Sequence, residues 1–269
     1  MPNRANDLNG VDWTRFSISV WNDLRKTPEE VALGHPALFP SALIERVIRC
    51  FTQEDARVVL DPFCGSGSTL VAACRLGGRG IGFEVSEPYR ALCLRRLEAI
   101  APPAPGAYEL HAEGAAGVKE RLAPESVDLC VTSPPYWNIL SRPRTADGRE
   151  TRDYAGAADD LSRIEEYPTF LETLAQVLDG VWDVLKPGAY CVVNVMDLRK
   201  KSRFYPFHSD LASRLSDPER GGRYIYDDLI IWDRRADYNS LRPLGYPAVF
   251  RVNKVHEFLI LLRKPPRAV

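Results

Sequence analysis

Short apolar runs alternate with amphipathic stretches along most of the chain. Seven runs predict β-strands, because each is dominated by consecutive apolar residues, many of them β-branched or aromatic. These runs are residues 57–61, 80–84, 108–112, 127–132, 189–196, 225–233 and 255–263. Helical spacing of apolar residues predicts helices at 41–51, 68–76, 87–100, 114–122 and, the longest, from about 164 to 185. Lys186-Pro187-Gly188 is a strong helix terminator and should end the longest helix.

This alternation predicts the fold class. Near-continuous apolar strands that alternate with helices are typical of an α/β fold, with a mostly parallel sheet and helices on both faces. The last two strands are joined by a long segment without a clear helix, which predicts an antiparallel pair at the sheet edge. Residues 138–160 and 198–224 are predicted loops, the second around a possible short helix at 207–215. Since no linker separates two cores, we predict a single domain over 1–269.

Composition changes this picture little. The 269 residues include 35 Lys and Arg against 36 Asp and Glu, a formal net charge of −1, and 45% are hydrophobic. The chain is therefore too apolar for a disordered protein and too balanced for one coated in basic residues. No stretch reaches the ~18 to 20 apolar residues of a membrane span, and the N terminus lacks the apolar core of a signal peptide. The six cysteines form no C-x-x-C pair, which favours a cytoplasmic protein with reduced thiols and no zinc site.

A glycine-rich turn follows the first predicted strand and opens the next helix. Its sequence is Asp61-Pro62-Phe63-Cys64-Gly65-Ser66-Gly67-Ser68-Thr69. Glycines allow a sharp bend and a close approach by a ligand, which would face the N–H groups of the helix N terminus. A dinucleotide fingerprint would need a glycine where Leu70 stands, and a P-loop would need a lysine that is absent.

Two acidic residues follow the next predicted strands. Glu84 closes the second strand. Its spacing from Asp61 along the sequence is the one at which a carboxylate contacts ribose hydroxyls in dinucleotide-binding folds. Glu113 follows the third strand. Carboxylates at neighbouring strand ends would form a pocket for a ribose-bearing or cationic ligand. The alternative is that they are solvated carboxylates and that the glycines only make a turn.

A second motif, Thr132-Ser133-Pro134-Pro135-Tyr136-Trp137, follows the fourth predicted strand. It should lie at the same sheet edge as the glycine turn. The prolines hold the chain stiff and extended, and the Ser133 hydroxyl and the Pro134 carbonyl can accept hydrogen bonds from an amine. Tyr136 and Trp137 offer flat faces for stacking, so the segment suits a flipped nucleobase with an exocyclic amine. The alternative, a rigid surface turn with a buried tyrosine, is weakened by its position beside the glycine turn.

Together the two motifs resemble those of S-adenosylmethionine-dependent DNA amino-methyltransferases of the N4-cytosine type. The glycine turn is similar to the cofactor motif of this family, and TSPPYW is similar to its catalytic motif, with serine in front. Residues 34–40 (GHPALFP) resemble the segment that lines the methionine end of the cofactor. Weaker matches at 185–188, 230–232 and 256–261 extend the resemblance over residues 13–266. The cofactor motif precedes the catalytic motif, the reverse of the permuted order in many SPPY enzymes.

The resemblance implies a seven-stranded Rossmann-like sheet with a reversed last strand, and S-adenosylmethionine as cofactor. Its implied cofactor residues are His35, Pro36, Phe39, Asp61, Pro62, Phe63, Cys64, Gly65, Ser66, Gly67, Ser68, Thr69, Glu84, Val85, Glu113 and Ser133. The implied catalytic residues are Ser133, Pro134, Pro135 and Tyr136. Glu84 would hold the ribose hydroxyls and Glu113 the adenine amine, while His35 could instead be a packed structural histidine.

The implied reaction is methyl transfer to the N4 amine of a flipped-out cytosine in double-stranded DNA. An N6-adenine DNA methyltransferase, an RNA or protein amine methyltransferase, and a catalytically silent DNA-binding protein stay open as alternatives. No metal or membrane partner is expected. The resemblance leaves open a homodimer, a cognate restriction endonuclease and the recognised DNA site.

Charge divides unevenly along the chain. Residues 198–254 hold 12 Lys and Arg against 7 Asp and Glu, and residues 153–188 hold 8 acids against 2 bases. We therefore predict two oppositely charged faces, with DNA on the positive one. Target recognition is expected in the loops 138–160, 198–224 and 234–254, although about half of the arginines could be solvated surface residues. The candidate DNA contacts are Trp137, Arg142, Arg144, Arg199, Lys200, Lys201, Arg203, Arg234 and Arg235.

Overall fold

The computed structural model describes residues 4–33, 38–54, 57–100, 106–137, 161–200, 202–237, 241 and 243–267. The whole predicted loop 138–160 lies outside this part of the chain, and so do five candidate residues. They are His35, Pro36, Arg142, Arg144 and Lys201.

The described helices confirm the predicted ones closely. They are α1 (Gly10–Phe16), α2 (Pro28–Ala32), α3 (Ser41–Phe51), α4 (Ser68–Arg75), α5 (Glu87–Glu98), α6 (Val118–Arg121), α7 (Tyr167–Val184) and α8 (Phe207–Ser216). Only α1 and α2 were not predicted, because each is too short to show a helical period. None of the described helices is long and apolar enough to cross a membrane.

The strands form one large sheet and a small hairpin. They are β1 (Val20–Trp21), β2 (Val58–Asp61), β3 (Arg79–Phe83), β4 (Tyr108–His111), β5 (Val127–Thr132), β6 (Leu185–Val195), β7 (Leu198–Lys200), β8 (Arg203–Tyr205), β9 (Ile225–Asp233) and β10 (His256–Arg263). The sheet order is β1-β9-β10-β6-β5-β2-β3-β4, and β7 pairs with β8. In the large sheet β10 runs antiparallel to its neighbours β6 and β9, whereas the other described strand pairs of that sheet are parallel. The mostly parallel α/β fold with a reversed last strand is therefore confirmed.

Three details differ from the prediction. The sheet has eight strands rather than seven, because the two residues of β1 pair with β9 and cover the predicted edge pair. The predicted loop 198–224 contains the β7–β8 hairpin, whose strands are short and basic and so show no apolar run. The helix terminator ends α7 as predicted but leads directly into β6, where the Gly188 amide donates to the Lys264 carbonyl (3.0 Å).

Helices cover both faces of the sheet, and alternate residues of each strand point to one face or the other. Leu60 and Ile260 join Phe170 of α7 in one apolar cluster. Val59 and Leu261 join α3 in the other, together with Trp21 and Trp232. Strand β2 lies between β3 and β5, which is the point where the strand order reverses. Ligands bind outside the carboxyl ends of the strands at such a point.

The two oppositely charged segments, which we predicted to form separate faces, are partly in contact with each other. Arg214 of α8 pairs through Nε with Glu172 of α7 (2.7 Å). Arg223 pairs through Nη2 with Asp183 of the same helix (2.8 Å). Some arginines of the positive segment thus form ion pairs with the acidic helix α7. These ion pairs offset the cost of desolvating the arginine and the carboxylate.

Candidate active site

A single cavity brings the two sequence motifs together. Its empty volume is about 960 Å³, which includes the open space at its mouth. Apart from Gly67, every described residue expected to contact the cofactor lines it, and so do all four of the expected catalytic residues. The lining residues that sequence reasoning missed are Leu38, Phe83, Gly114, Ala115 and Leu161.

The glycine turn needs glycine for two separate reasons. Gly65 and Gly67 have φ angles of 51° and 80°, in the left-handed region that favours glycine. A Cβ atom on Gly67 would also stand 2.2 Å from Sγ of Cys93 in α5. The turn is closed by the Gly67 amide, which donates to the Cys64 carbonyl (2.8 Å). These constraints hold the N terminus of α4 against the cavity.

A buried arginine organises the serines of this turn. Arg96 of α5 donates through Nη1 to the Ser66 carbonyl (2.8 Å) and to the Ser68 hydroxyl (3.0 Å). It also lies 3.6 Å from the buried carboxylate of Glu30, which accepts from the Ser41 hydroxyl (2.6 Å). The Ser68 hydroxyl therefore helps to hold the glycine turn against α5. Sequence reasoning missed Arg96 and Glu30, since no local pattern joins residues so far apart.

Asp61 ties the glycine turn to the catalytic segment. Its carboxylate accepts from the hydroxyl of Thr69 in α4 (2.6 Å) and from that of Thr132 at the end of β5 (2.7 Å). The Phe63 amide also donates to it (3.1 Å). We expected Asp61 to hold the cofactor, and the structure shows that its carboxylate joins β2, α4 and β5. Burial raises the pKa of Asp61 to about 6, although these hydrogen bonds act in the opposite direction.

The raised pKa of Asp61 predicts a pH dependence of stability. Between about pH 4 and pH 6 the folded protein keeps a proton that the unfolded chain releases, so stability falls as pH rises through this window. Asp61→Asn cannot ionise and should lack this decline. Urea unfolding of both proteins measures this decline. Between about pH 4 and pH 6 the wild-type protein should lose on the order of 2 kcal/mol in its free energy of unfolding relative to the variant. Parallel stability curves over this pH range would contradict the prediction.

The two strand-end acids lie on the same side of the cavity. The Glu84 carboxylate accepts from the amides of Gly65 (2.9 Å) and Ser86 (2.8 Å), and burial raises its pKa. Glu113 is more exposed and pairs with Nε of Arg121 (2.6 Å). Both carboxylates line the cavity, so a ligand can reach them.

The catalytic segment also lines the cavity. Ser133, Pro134, Pro135 and Tyr136 all line the cavity. The Tyr136 hydroxyl donates to Oε2 of Glu257 in β10 (3.1 Å). Burial, followed by the nearby Glu257 carboxylate, raises the pKa of the Tyr136 phenol well above its usual value. The ring is therefore held in its neutral form in one orientation.

Trp137 takes a different position from the one expected. Its side chain is only 3% exposed and packs against Tyr167 and Tyr205 in place of facing DNA. Its Nε1 donates to the Ile164 carbonyl (2.8 Å), and its φ angle of 47° is unusual for a bulky residue. The buried indole thus anchors the end of the catalytic segment.

We expect Trp137→Ala to destabilise the fold by about 3 to 5 kcal/mol, because it removes a buried aromatic ring and leaves a cavity. Trp13 is a matched control, since its side chain is 49% exposed. Trp13→Ala should cost less than about 1 kcal/mol. Urea unfolding measures both changes, and equal losses would contradict the placement of Trp137 in the core.

The described candidate DNA contacts fall into two groups. Arg199, Lys200 and Arg203 lie on the β7–β8 hairpin, with Arg199 and Arg203 exposed. Arg234 instead pairs with the buried Glu257 and with Asp237, and Arg235 pairs with Asp233.

Comparison with known proteins agrees with this site. The model of the DNA methylase family, which covers N6- and N4-acting enzymes, matches residues 7–94 and 127–268. The Type II methyltransferase M.ScaI of Streptomyces caespitosus is 49% identical over 91 residues, 34% of this chain and 29% of that protein. The Type II methyltransferase M2.DpnII of Streptococcus pneumoniae is 44% identical over 81 residues, 30% of each. The matched region thus spans less than a third of the length of either relative.

One solved structure shares the fold. A SAM-dependent methyltransferase of Methanosarcina mazei matches 86% of this chain and 99% of its own, with a TM-score of 0.50 and 17% identity. At this identity the likeness concerns the fold alone. The family model covers most of the chain. It includes both motifs and leaves out the interval 95–126 between them. The chain therefore belongs to the DNA methylase family.

Proposed function

We propose that this protein transfers a methyl group from S-adenosylmethionine to the exocyclic N4 amine of a flipped-out cytosine in double-stranded DNA. The observation that carries the proposal is the shared cavity, which is lined by both the glycine turn and Ser133–Tyr136. A methyl donor and an amine bound there would meet at the catalytic segment. Membership of the DNA methylase family supports DNA as the substrate class.

The residues of the cavity fit this cofactor. Each oxygen of the Glu84 carboxylate accepts one backbone N–H and keeps a further lone pair that could accept a ribose hydroxyl. Such donors would favour the ionised form of a carboxylate whose pKa is raised by burial. Glu113 stands beside Gly114 and Ala115, where an adenine amine could reach it, and Phe39 supplies an apolar wall. When bound, S-adenosylmethionine supplies an electrophilic methyl group on its sulfonium.

The protein contributes positioning and electrostatics. An exocyclic amine is a poor nucleophile because its lone pair is delocalised into the base. The Ser133 hydroxyl and the Pro134 carbonyl would accept the amine N–H groups and so direct the lone pair toward the methyl group. The Tyr136 ring would stack on the extruded base. This chemistry needs no covalent intermediate with the protein.

The finer assignment to cytosine rests on the sequence. In the resemblance to the N4-cytosine type, the residue in front of Pro-Pro-Tyr is a serine, and here it is Ser133. The described basic residues of the β7–β8 hairpin, Arg199, Lys200 and Arg203, are our candidates for contacts to the DNA backbone. We place further recognition elements within 234–254, in one domain with the cavity.

Nucleoside mass spectrometry tests the proposal. DNA from a bacterial strain without methyltransferases is incubated with the protein and isotopically labelled S-adenosylmethionine, then digested to nucleosides. We expect label in N4-methylcytosine. Label only in N6-methyladenine would assign the protein to the adenine branch, and label only in RNA offered in parallel would reject DNA as substrate. Ser133→Ala is the negative control.

A further inference from the structure

A buried carboxylate lies directly behind the catalytic segment. Glu257 is the second residue of β10 and is 4% exposed. Because β10 runs antiparallel, its first residues lie at the sheet edge where β5 and β6 end. Oε2 of Glu257 accepts hydrogen bonds from the Tyr136 hydroxyl (3.1 Å) and the Asn194 side-chain amide. Oε1 accepts a hydrogen bond from the Arg234 guanidinium. Both oxygens of this carboxylate are therefore occupied by donors.

This arrangement fixes the direction of the hydrogen bonds. An ionised carboxylate can only accept, so the single hydroxyl hydrogen of Tyr136 must point to Glu257. The oxygen of Tyr136 then keeps only its lone pairs for any further partner. Tyr136 lines the cavity together with Ser133, so the position of its ring shapes the wall that would face the substrate base.

We propose that Glu257 is a positioning residue that fixes the Tyr136 hydroxyl and, through it, the ring that would stack on the substrate base. Arg234 and Asn194 hold the Glu257 carboxylate in place, and Arg234 is itself stacked over the Trp232 ring at 4.8 Å. The inference rests on the proposed function and adds Asn194 of β6, Arg234 just after β9, and Glu257 of β10 to it. None of the three belongs to either sequence motif.

The test compares single-turnover methyl transfer by full-length variants, with labelled S-adenosylmethionine and unmethylated bacterial DNA. Glu257→Gln keeps the shape but offers Tyr136 a donor as well as an acceptor, so the Tyr136 hydroxyl is no longer held in one direction. We expect the rate to fall by at least about tenfold while cofactor affinity changes less than about twofold. Tyr136→Phe, which leaves all charges intact, should lower the rate similarly. In that background Glu257→Gln should add less than about a twofold loss.

A matched control lies at the opposite end of the same strands. There Tyr190 donates to Asp227 (2.7 Å), and Arg263 lies 3.6 Å from the same carboxylate. Asp227→Asn makes the equivalent carboxylate-to-amide change at a residue that does not line the cavity, and it should leave the transfer rate unchanged.

Four outcomes would overturn the inference. A wild-type rate in Tyr136→Phe, or losses that multiply in the double variant, would reject the positioning role while the proposed function stands. A loss in Asp227→Asn as large as that in Glu257→Gln would show a general effect of sheet stability. If the wild-type protein transfers no methyl group to DNA, the proposed function itself fails and the role of Glu257 falls with it.

Discussion

Ser133→Ala is expected to lower methyl transfer by at least about a hundredfold while the affinity for S-adenosylmethionine stays within about threefold of wild type. The hydroxyl would accept an amine N–H as positive charge develops on the nitrogen, so its loss raises the barrier of the chemical step. Tyr136→Ala should lower transfer at least as much, since it removes both the stacking face and the hydroxyl that meets Glu257. Rates come from single-turnover assays and affinities from calorimetry.

Glu84→Gln should show the converse behaviour. Its carboxylate lines the cavity and accepts from the Gly65 amide of the glycine turn, so its loss should weaken cofactor binding first. We expect cofactor affinity to fall at least about tenfold, with most of the transfer rate recovered at saturating cofactor. If Ser133→Ala and Glu84→Gln lose cofactor affinity equally, the assigned division between the two walls of the cavity is wrong.

Gly67→Ala is expected to disrupt the cofactor wall. The new Cβ would stand 2.2 Å from Cys93 Sγ, and alanine is strained at a φ of 80°. We expect a loss of at least about 3 kcal/mol in the free energy of unfolding, from left-handed strain plus overpacking. Since the same residue sets the N terminus of α4, cofactor affinity should fall at least about tenfold.

Gly77 provides the control for this variant. It has a similar φ of 74°, but a Cβ there would meet no atom within 4 Å. Gly77→Ala therefore carries the strain without the clash and should cost only about 1 to 2 kcal/mol, with cofactor affinity unchanged. Urea unfolding and calorimetry measure both variants. Equal destabilisation would show that contact with Cys93 contributes nothing.

Much of the fold could be predicted because buried parallel strands read as continuous apolar runs. Residues 127–132 and 225–233 match β5 and β9 without adjustment, and 41–51 matches α3. The two-residue β1 and the basic hairpin β7–β8 were missed because neither carries an apolar period.

The candidate site could be predicted only as far as its two local motifs extend. The glycine turn and the catalytic segment each lie within a few residues, and the end of a parallel strand brings each to the same edge. Tyr136 and Glu257 are separated by 121 positions, so their hydrogen bond follows from the sheet order and not from any local spacing. The orientation of Trp137 was equally hidden, since its side chain could be placed in the core only with the packing partners known.

Methylome sequencing of a methylation-free bacterial host that expresses the full chain gives the decisive result, because it reports the modified base and its sequence context together. We expect N4-methylcytosine in a defined context in cells that express the wild-type protein, and none in cells with an equal amount of Ser133→Ala. An unmodified genome in the presence of folded wild-type protein, or the same modification with Ser133→Ala, would contradict the function proposed for this cavity.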